Sequence, residues 1–402
     1  MVMLSEHRTE SGTMILNMGP QHPSTHGVLR LLIELDGETV LNCMPDVGFL
    51  HTGIEKTMEA RNYHQAIVLT DRTDYLSPPS NNLSYILSCE KLFGVEKEIP
   101  ERAQIVRVIF CELARIASHL IWLGTHALDL GATTVFMYCW REREKILSIY
   151  ETVSGVRMMT SYFRIGGLAA DVPDDVADMV EGVVKDMPRR IDDYETLLTK
   201  NPIFLDRTQG VGVMSRENAL KYGLTGPCLR GSGVPFDIRK VYPYSGYDAY
   251  DFDVPYSNEG DVYARYMVRM REMRESVRIV SQAAKRLRET KGAPVKIDNP
   301  RVIFPKREKI HRSMESLIHH FKLVSEGPVP PAGEAYAAIE SPRGEQATYV
   351  FSDGSNKPHR VRFRAPGWFN LQALPNMIND GLVADVVACI GSIDIVLGEI
   401  DR

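Results

Sequence analysis

Apolar positions change their period along the chain, and the changes mark out its parts. Residues 13–17 and 28–35 are strand-like runs of aliphatic side chains. Asp36-Gly37 is a turn signal, and 38–43 reads as the returning strand of a hairpin. From Glu101 the spacing becomes mostly helical, with Ile105, Val108, Ile109, Ile116, Leu120 and Leu123 as the apolar set and Pro100 as the entry signal. Helices are also predicted over 140–154, 174–200 and 261–291. The last is dense in both signs of charge, with Arg265, Arg269, Arg271, Glu272, Arg274, Glu275 and Arg278. It reads as a solvated face laced by i,i+4 pairs, or else as a docking face for an acidic partner.

Residues 223–258, rich in Gly, Pro, Tyr and Asp, predict an ordered surface loop between helical blocks. Strand-like 348–351 and 360–364 flank Asp353-Gly354, which predicts a hairpin with a longer loop. Residues 381–399 form a mainly apolar terminal segment carrying Asp385 and Asp394. The fold class expected is therefore α+β, mainly α: a helical core with small N-terminal and C-terminal β hairpins or sheets. Three regions are expected. Residues 1–75 are β-rich, 76–325 are helical with an inserted loop at about 223–258, and 326–402 hold the second hairpin and the apolar end. No internal repeat appears.

Composition narrows the function classes. The chain has 402 residues, 44% hydrophobic and 25% charged, enough for a sizeable core. A net charge of −5 argues against a bulk nucleic-acid binder. The 6 cysteines are scattered and none forms a C-x-x-C pair, which argues against zinc ribbons, cluster-binding runs and disulfide scaffolds and fits a reducing compartment. The most membrane-like stretch, 116–140, is interrupted by His119, His126 and Asp129, so it falls short of the roughly 20 apolar residues of a spanning helix. Membrane association is expected only through partner subunits. Residues 1–8 are charged at once, so no signal peptide is expected.

Nucleotide and zinc chemistry lack their motifs. There is no G-x-x-x-x-G-K-[ST] and no H-E-x-x-H, and Gly210-Val211-Gly212 and Gly231-Ser232-Gly233 each lack a third glycine. His22 and His26 stand four apart with Pro23 between them, so they are either a metal pair or two loop histidines bonded to backbone. His119, His126 and Asp129 fall roughly on one helix face, as a polar stripe between packed helices or a buried acid–imidazole relay. Tyr75, in Asp71-Arg72-Thr73-Asp74-Tyr75, reads as a packed ring with a wet hydroxyl.

Taken together the motifs are more specific. Gly19-Pro20-Gln21-His22-Pro23-Ser24-Thr25-His26-Gly27 resembles the start of the D subunit of respiratory complex I, its quinone-site subunit. So do Gly48–Lys56, Asp71–Tyr75, Thr125–Gly131, Arg141–Glu144, Pro330–Tyr336 and Gly391–Val396, across essentially the whole chain. That family is similar in fold to the large subunit of nickel–iron hydrogenases. Their two C-x-x-C pairs fall here at Asp74 and Ser77, and at Val396 and Glu399, so no tetrathiolate metal site can form.

The resemblance implies a proton-translocating NADH-quinone oxidoreductase, in which two electrons and two protons convert quinone to quinol. It makes His26 and Tyr75 the headgroup ligands, with Asp129 as the acid paired to His26. Arg72 would lie near a tetranuclear iron–sulfur cluster held by an adjacent small subunit. Met159 replaces a titratable histidine of mitochondrial relatives. No metal or cofactor is expected on this chain itself, and NADH is oxidised elsewhere in the complex. The implied partners are the cluster-bearing B subunit, the C and I subunits, membrane subunits such as H and A, and quinone, with no nucleic acid. The implied place is the cytoplasmic side of the bacterial cell membrane, held there by those partners. Rival readings are a relative fed by ferredoxin or another donor, a hydrogenase-type metalloenzyme, and a non-catalytic scaffold.

Overall fold

Glu101–Asp129 forms one helix of 29 residues, with Pro100 at its N-cap. Its predicted apolar positions are buried, but so are Arg102, Arg107, Glu112, Arg115, Ser118, His119 and His126. A helix enclosed on nearly all sides must satisfy its polar groups inside the protein. The helices Thr133–Ser154 and Val262–Glu289 pack against it, and Val176–Leu198 packs on those two. The computed structural model that shows this describes residues 7–8 and 12–402. Most of the charged start, read as evidence against a signal peptide, lies outside the described residues. Among the described residues no helix is long and apolar enough to cross a membrane.

The Pro78–Phe93 helix left no periodic signal in the sequence because its buried positions run all round, from Pro79, Ser80 and Asn81 to Cys89 and Glu90. Asn62 begins the preceding Tyr63–Thr70 helix with a capping box, its side chain accepting from Gln65 N at 2.9 Å.

Both β regions form as antiparallel sheets. The first runs in chain order through His7–Arg8, Met14–Met18, Arg30–Asp36 and Thr39–Asp46. Leu31, Ile33 and Leu35 point inward at alternate positions, with a register shift between Glu34 and Leu35. The second has three strands, Gly333–Ser341, Gly344–Ser352 and Arg360–Arg364. Its first strand went unread because Gly333–Ser341 includes the buried polar residues Glu340 and Ser341, which break the alternation. The fold is thus mainly helical with small antiparallel sheets. The two ends of the chain share a core: Leu31, Ile33 and Val40 pack with Met377, Ile390 and Ile393.

Two sequence expectations need correction. The charged helix is solvated on one side only. Arg271, Arg274 and Arg278 are not buried, whereas Arg265, Arg269 and Glu272 are. The 223–258 segment is ordered, but much of it is interior: Arg230, Asp237, Arg239 and Tyr247 are buried. The two departures have one cause. Glu272 accepts from Arg230 Nε at 2.8 Å and lies 3.0 Å from His119 Nε2. Arg230 also reaches Glu340 at 2.8 Å, and Arg239 joins Asp237 at 2.7 Å to Glu112 at 3.0 Å. Glu112 accepts further from Ser276 and Tyr247, each at 2.7 Å. Burial works against ionisation of Glu112, but Arg115 and Arg239 outweigh it and hold the carboxyl at about 2. The network ties four distant segments to the central helix.

Removing one partner should therefore cost far more than removing a surface charge. Arg230→Met strands Glu272 and Glu340 and is expected to destabilise the fold by about 3–5 kcal/mol. Arg278→Met, on the wet face, should stay within about 0.5 kcal/mol. Thermal unfolding of the assembled complex carrying each variant, with the level of assembled subunit, checks the contrast.

Candidate functional site

The loop that joins the strands Met14–Met18 and Arg30–Asp36 is tightly bonded. Pro23–Thr25 makes one 3₁₀ turn, capped by His22, whose Nδ1 accepts from Ser24 N at 3.2 Å. Thr25 Oγ1 donates to His22 O at 3.0 Å, and Leu29 N returns to Thr25 O at 3.1 Å. Gly19 has φ +87, and a Cβ there would collide with Leu29 O, so the loop closes only on glycine. The next step is His26, held left-handed at φ 57. A non-glycine residue in that region costs of order 1 kcal/mol or more, and the surrounding bonds impose it.

His26 is exposed at the surface of the loop. Protein crowds its inner side, and this, with the Arg343 cation second, depresses its pKa to about 4. Water at the open face favours the cation and works against that depression. Of the two loop histidines, His22 is thus bonded to backbone. Among the described residues no group of three or more His, Cys, Asp or Glu could hold a metal ion.

Asp129, the last residue of the Glu101–Asp129 helix, faces this loop. Burial raises its pKa, opposed by a hydrogen bond from Ser24 and then by the nearby His22. Among the described residues no hydrogen bond or ion pair joins Asp129 to His26; the pairing expected from the resemblance lies with Ser24 and His22 instead. His119 is bonded to Glu272, and His126 stacks on Trp122 with ring centroids 5.7 Å apart and both nitrogens buried without partners. Burial lowers His119 to about 4 and His126 to about 3. His119, His126 and Asp129 therefore have separate partners and do not form a continuous relay.

Tyr75 stands in the tight turn between the Tyr63–Thr70 and Pro78–Phe93 helices. Asn82 Nδ2 donates to Asp71 at 2.8 Å and Asn81 Nδ2 to Asp74 O at 2.8 Å, which fixes the turn. Burial raises the Tyr75 phenol, countered by Arg343 and reinforced by Asp74, Glu399 and Asp394. Arg72 is exposed, its guanidinium bonded to Val68 O at 2.9 Å, and Met159 is half-buried.

One residue unread in the sequence organises this region. Arg343 is fully buried in the two-residue turn between the strands Gly333–Ser341 and Gly344–Ser352. It donates to Asp74 at 2.8 Å, Ser118 Oγ at 3.0 Å, Asp394 O at 3.0 Å and Asp394 Oδ1 at 3.3 Å. Its charge acts on both His26 and Tyr75. A turn arginine carries no local sign of burial; only its contacts, from residues 51 to 269 positions away, reveal it. Asp74, Ser77, Val396 and Glu399 are all buried as well. A pocket of about 670 Å³, lined by Phe236, Tyr244 and Tyr336 among others, contains none of these groups.

The Gly48–Lys56 motif meets the end of the chain. Asp401 accepts from Gly48 N at 3.0 Å and Leu50 N at 2.6 Å, and its carbonyl lies 2.7 Å from His51 Nδ1. The Gly48–Lys56 segment is thus a dock for the C-terminal residues, which in turn press Gly398 against the Tyr75 turn.

Comparison with known proteins places this fold, built round buried charge, among the subunits of a redox complex. The family model for the respiratory-chain NADH dehydrogenase 49 Kd subunit matches residues 129–402. The second NADH-quinone oxidoreductase D subunit of Chloroflexus aurantiacus is 62% identical over 98% of this chain and 95% of its own. The second D subunit of a Roseiflexus species is 61% identical over 98% and 94%. The D subunit of Geotalea uraniireducens is 55% identical over 97% and 98%. The chain belongs to the D-subunit family of NADH-quinone oxidoreductase.

Gly398 tests the packing of the site. A Cβ there would stand 2.6 Å from Thr73 O and 3.2 Å from Tyr75 Cε1. Gly398→Ala must move the 72–75 turn, at a cost of about 1–3 kcal/mol. The expected outcome is a loss of quinone reduction by the complex with NADH oxidation by an artificial acceptor retained, measured side by side.

Proposed function

We propose that the Gly19–Gly27 loop and the Asp71–Tyr75 turn form this chain's share of a quinone headgroup site, where two electrons and two protons convert quinone to quinol. The observation that carries the reading is Arg343. One buried guanidinium biases two proton-bearing side chains from distant parts of the sequence. Reduction builds negative charge on the quinone oxygens, so donors aimed at them stabilise the reduced forms. The Tyr75 hydroxyl and the His26 imidazole are such donors. Both resist changing charge at neutral pH: the raised phenol keeps its proton and the depressed imidazole stays neutral. Tyr75 therefore gives up its proton only once the quinone has become basic, while neutral His26 serves as an N–H donor to the charged oxygen.

The exposed His26 and half-buried Tyr75 leave the headgroup without a closed wall on this chain. A cluster-bearing small partner, the B subunit of such a complex, would supply that wall and the electrons, with exposed Arg72 towards its tetranuclear cluster. The C and I subunits and membrane subunits such as H and A would complete the assembly on the cytoplasmic side of the cell membrane, with NADH oxidised elsewhere. Proton translocation would begin with movement of the His26 loop, which Asp129 steadies through Ser24 and His22. The likeness to nickel–iron hydrogenases fits the burial of Asp74, Ser77, Val396 and Glu399. The cation of that region is the Arg343 guanidinium.

Tyr75→Phe and His26→Ala should each reduce electron transfer to quinone at least a hundredfold, about 3 kcal/mol of transition-state stabilisation. NADH oxidation by an artificial acceptor should persist in the same membranes. Wild-type quinone reduction in both variants would refute the assignment.

A further inference from the structure

Three buried carboxyls, Asp74, Asp394 and Glu399, lie about buried Arg343 behind Tyr75, and buried Arg269 also acts on Asp394. Asp74 and Asp394 are each hydrogen-bonded to Arg343, and Asp74 Oδ1 also accepts from Leu76 N at 3.1 Å. Glu399 is different. It is 1% exposed, and its Oε1 accepts only from Gly367 N at 2.8 Å. Its Oε2 is buried with no partner. Among the described residues no hydrogen bond or ion pair joins it to a cation.

The other charges acting on it are Asp74, Asp394 and Arg343, with Arg402 and the phenol of Tyr75 also in its field. Arg269 offsets charge at Asp394, but three carboxylates about these two guanidiniums still leave one surplus negative charge that is repelled and poorly solvated in an interior of low dielectric. The carboxyls of Asp394 and Glu399 each accept one hydrogen bond and each keep a second oxygen buried without a partner. The donor to Asp394 is the guanidinium and the donor to Glu399 a neutral amide, so the proton stays on Glu399. Burial first, then repulsion from Asp74, raises its pKa to about 8, in agreement with this count.

We propose that Glu399 is a neutral, protonated carboxylic acid in the resting protein and holds the proton that reloads Tyr75 after Tyr75 has protonated the reduced quinone. The inference rests on the quinone-site reading above. The balance is simple. Two electrons arrive from the partner's iron–sulfur carrier, and the Tyr75 O–H bond breaks as a quinone O–H bond forms. The Glu399 O–H bond then breaks as the Tyr75 O–H bond re-forms, through water where the two are not in contact. Glu399 is left as carboxylate beside Arg343 and takes a proton from bulk solvent before the next turnover. Solvent supplies the second proton of the quinol. Gly398 presses the neighbouring backbone onto the Tyr75 ring, so the acid and the phenol sit on adjoining structure.

The test is Glu399→Gln in the intact complex. The amide oxygen can still accept from Gly367 N, but no acid remains. Quinone KM should hold while kcat at neutral pH falls on the order of 10- to 100-fold. Wild-type kcat should decline as the pH rises through about 8, where the reserve empties, and the variant should lose that limb. Infrared difference spectra of quinone reduction should show a carboxylic C=O band in the wild type that is absent from the variant. Unchanged kcat and an unchanged alkaline limb would overturn the inference, as would a wild-type spectrum with no such band across this pH range. If the variant fails to assemble, the wild-type spectrum and its pH titration decide alone. Tyr75→Phe separates the two readings. If Tyr75→Phe blocks quinone reduction while Glu399→Gln behaves as wild type, only the reserve proton fails. If Tyr75→Phe is also silent, the site itself fails.

Discussion

The structure depends on ionised side chains that are buried and must find partners from elsewhere in the chain. Arg107, Arg115, Arg230, Arg239 and Arg343 are among the largest fully buried side chains. Each carries a desolvation cost of several kcal/mol that only a carboxylate or a set of carbonyls can offset. Arg107 is met by Glu90 in a two-point contact at 3.0 and 2.6 Å. Glu112 takes Arg115 and Arg239, and Glu272 takes Arg230 and His119. Such pairs add little net stability over apolar packing, but they penalise every arrangement in which one partner is missing. They fix which segment lies against which part of the central helix.

The candidate site is the same device with one member left incomplete. Arg343 is saturated by Asp74, Asp394 and Ser118. Its charge still reaches Tyr75 and His26, the groups that stand nearest open surface. Glu399 lies outside the bonded set. A fully paired cluster would be inert scaffolding, whereas a surplus acid in a rigid cage can gain and lose a proton without the cage moving. On the proposed reading, stability and proton chemistry come from one arrangement of charge, at the place where the helical core, the second sheet and the C-terminal residues converge.

The Gly48–Lys56 motif is architectural in this structure. His51, Gly48 and Leu50 hold Asp401. Glu55 accepts from Phe363 N at 2.9 Å and pairs with Arg362 and Arg402. These contacts fasten the C-terminal residues beneath the Tyr75 turn. A motif that is remote from the reacting groups can therefore govern them by setting the position of Gly398 and Glu399.

The pattern of residues was enough for the long helices from Glu101 onward, for a hairpin in each antiparallel sheet and for the general class, because periodicity and turn chemistry are local; it missed the Pro78–Phe93 helix and the Gly333–Ser341 strand. Pro100, Asp36-Gly37 and Asp353-Gly354 act on their own neighbours. The motifs also offered His26, Tyr75 and Asp129 as candidates. Burial was not legible wherever it depends on contacts across hundreds of positions. Arg265, Arg269 and Glu272 look like any solvated helix face, and the 223–258 segment has the composition of a surface loop. Only the tertiary structure turned them inward, because Glu112, His119 and Glu340 wait there. It also moved Asp129 from His26 to Ser24 and His22, and gave the central place to Arg343, a turn residue with no local mark. The physical reason is that hydrophobic period is written along the chain, whereas the partner of a buried charge is chosen in space.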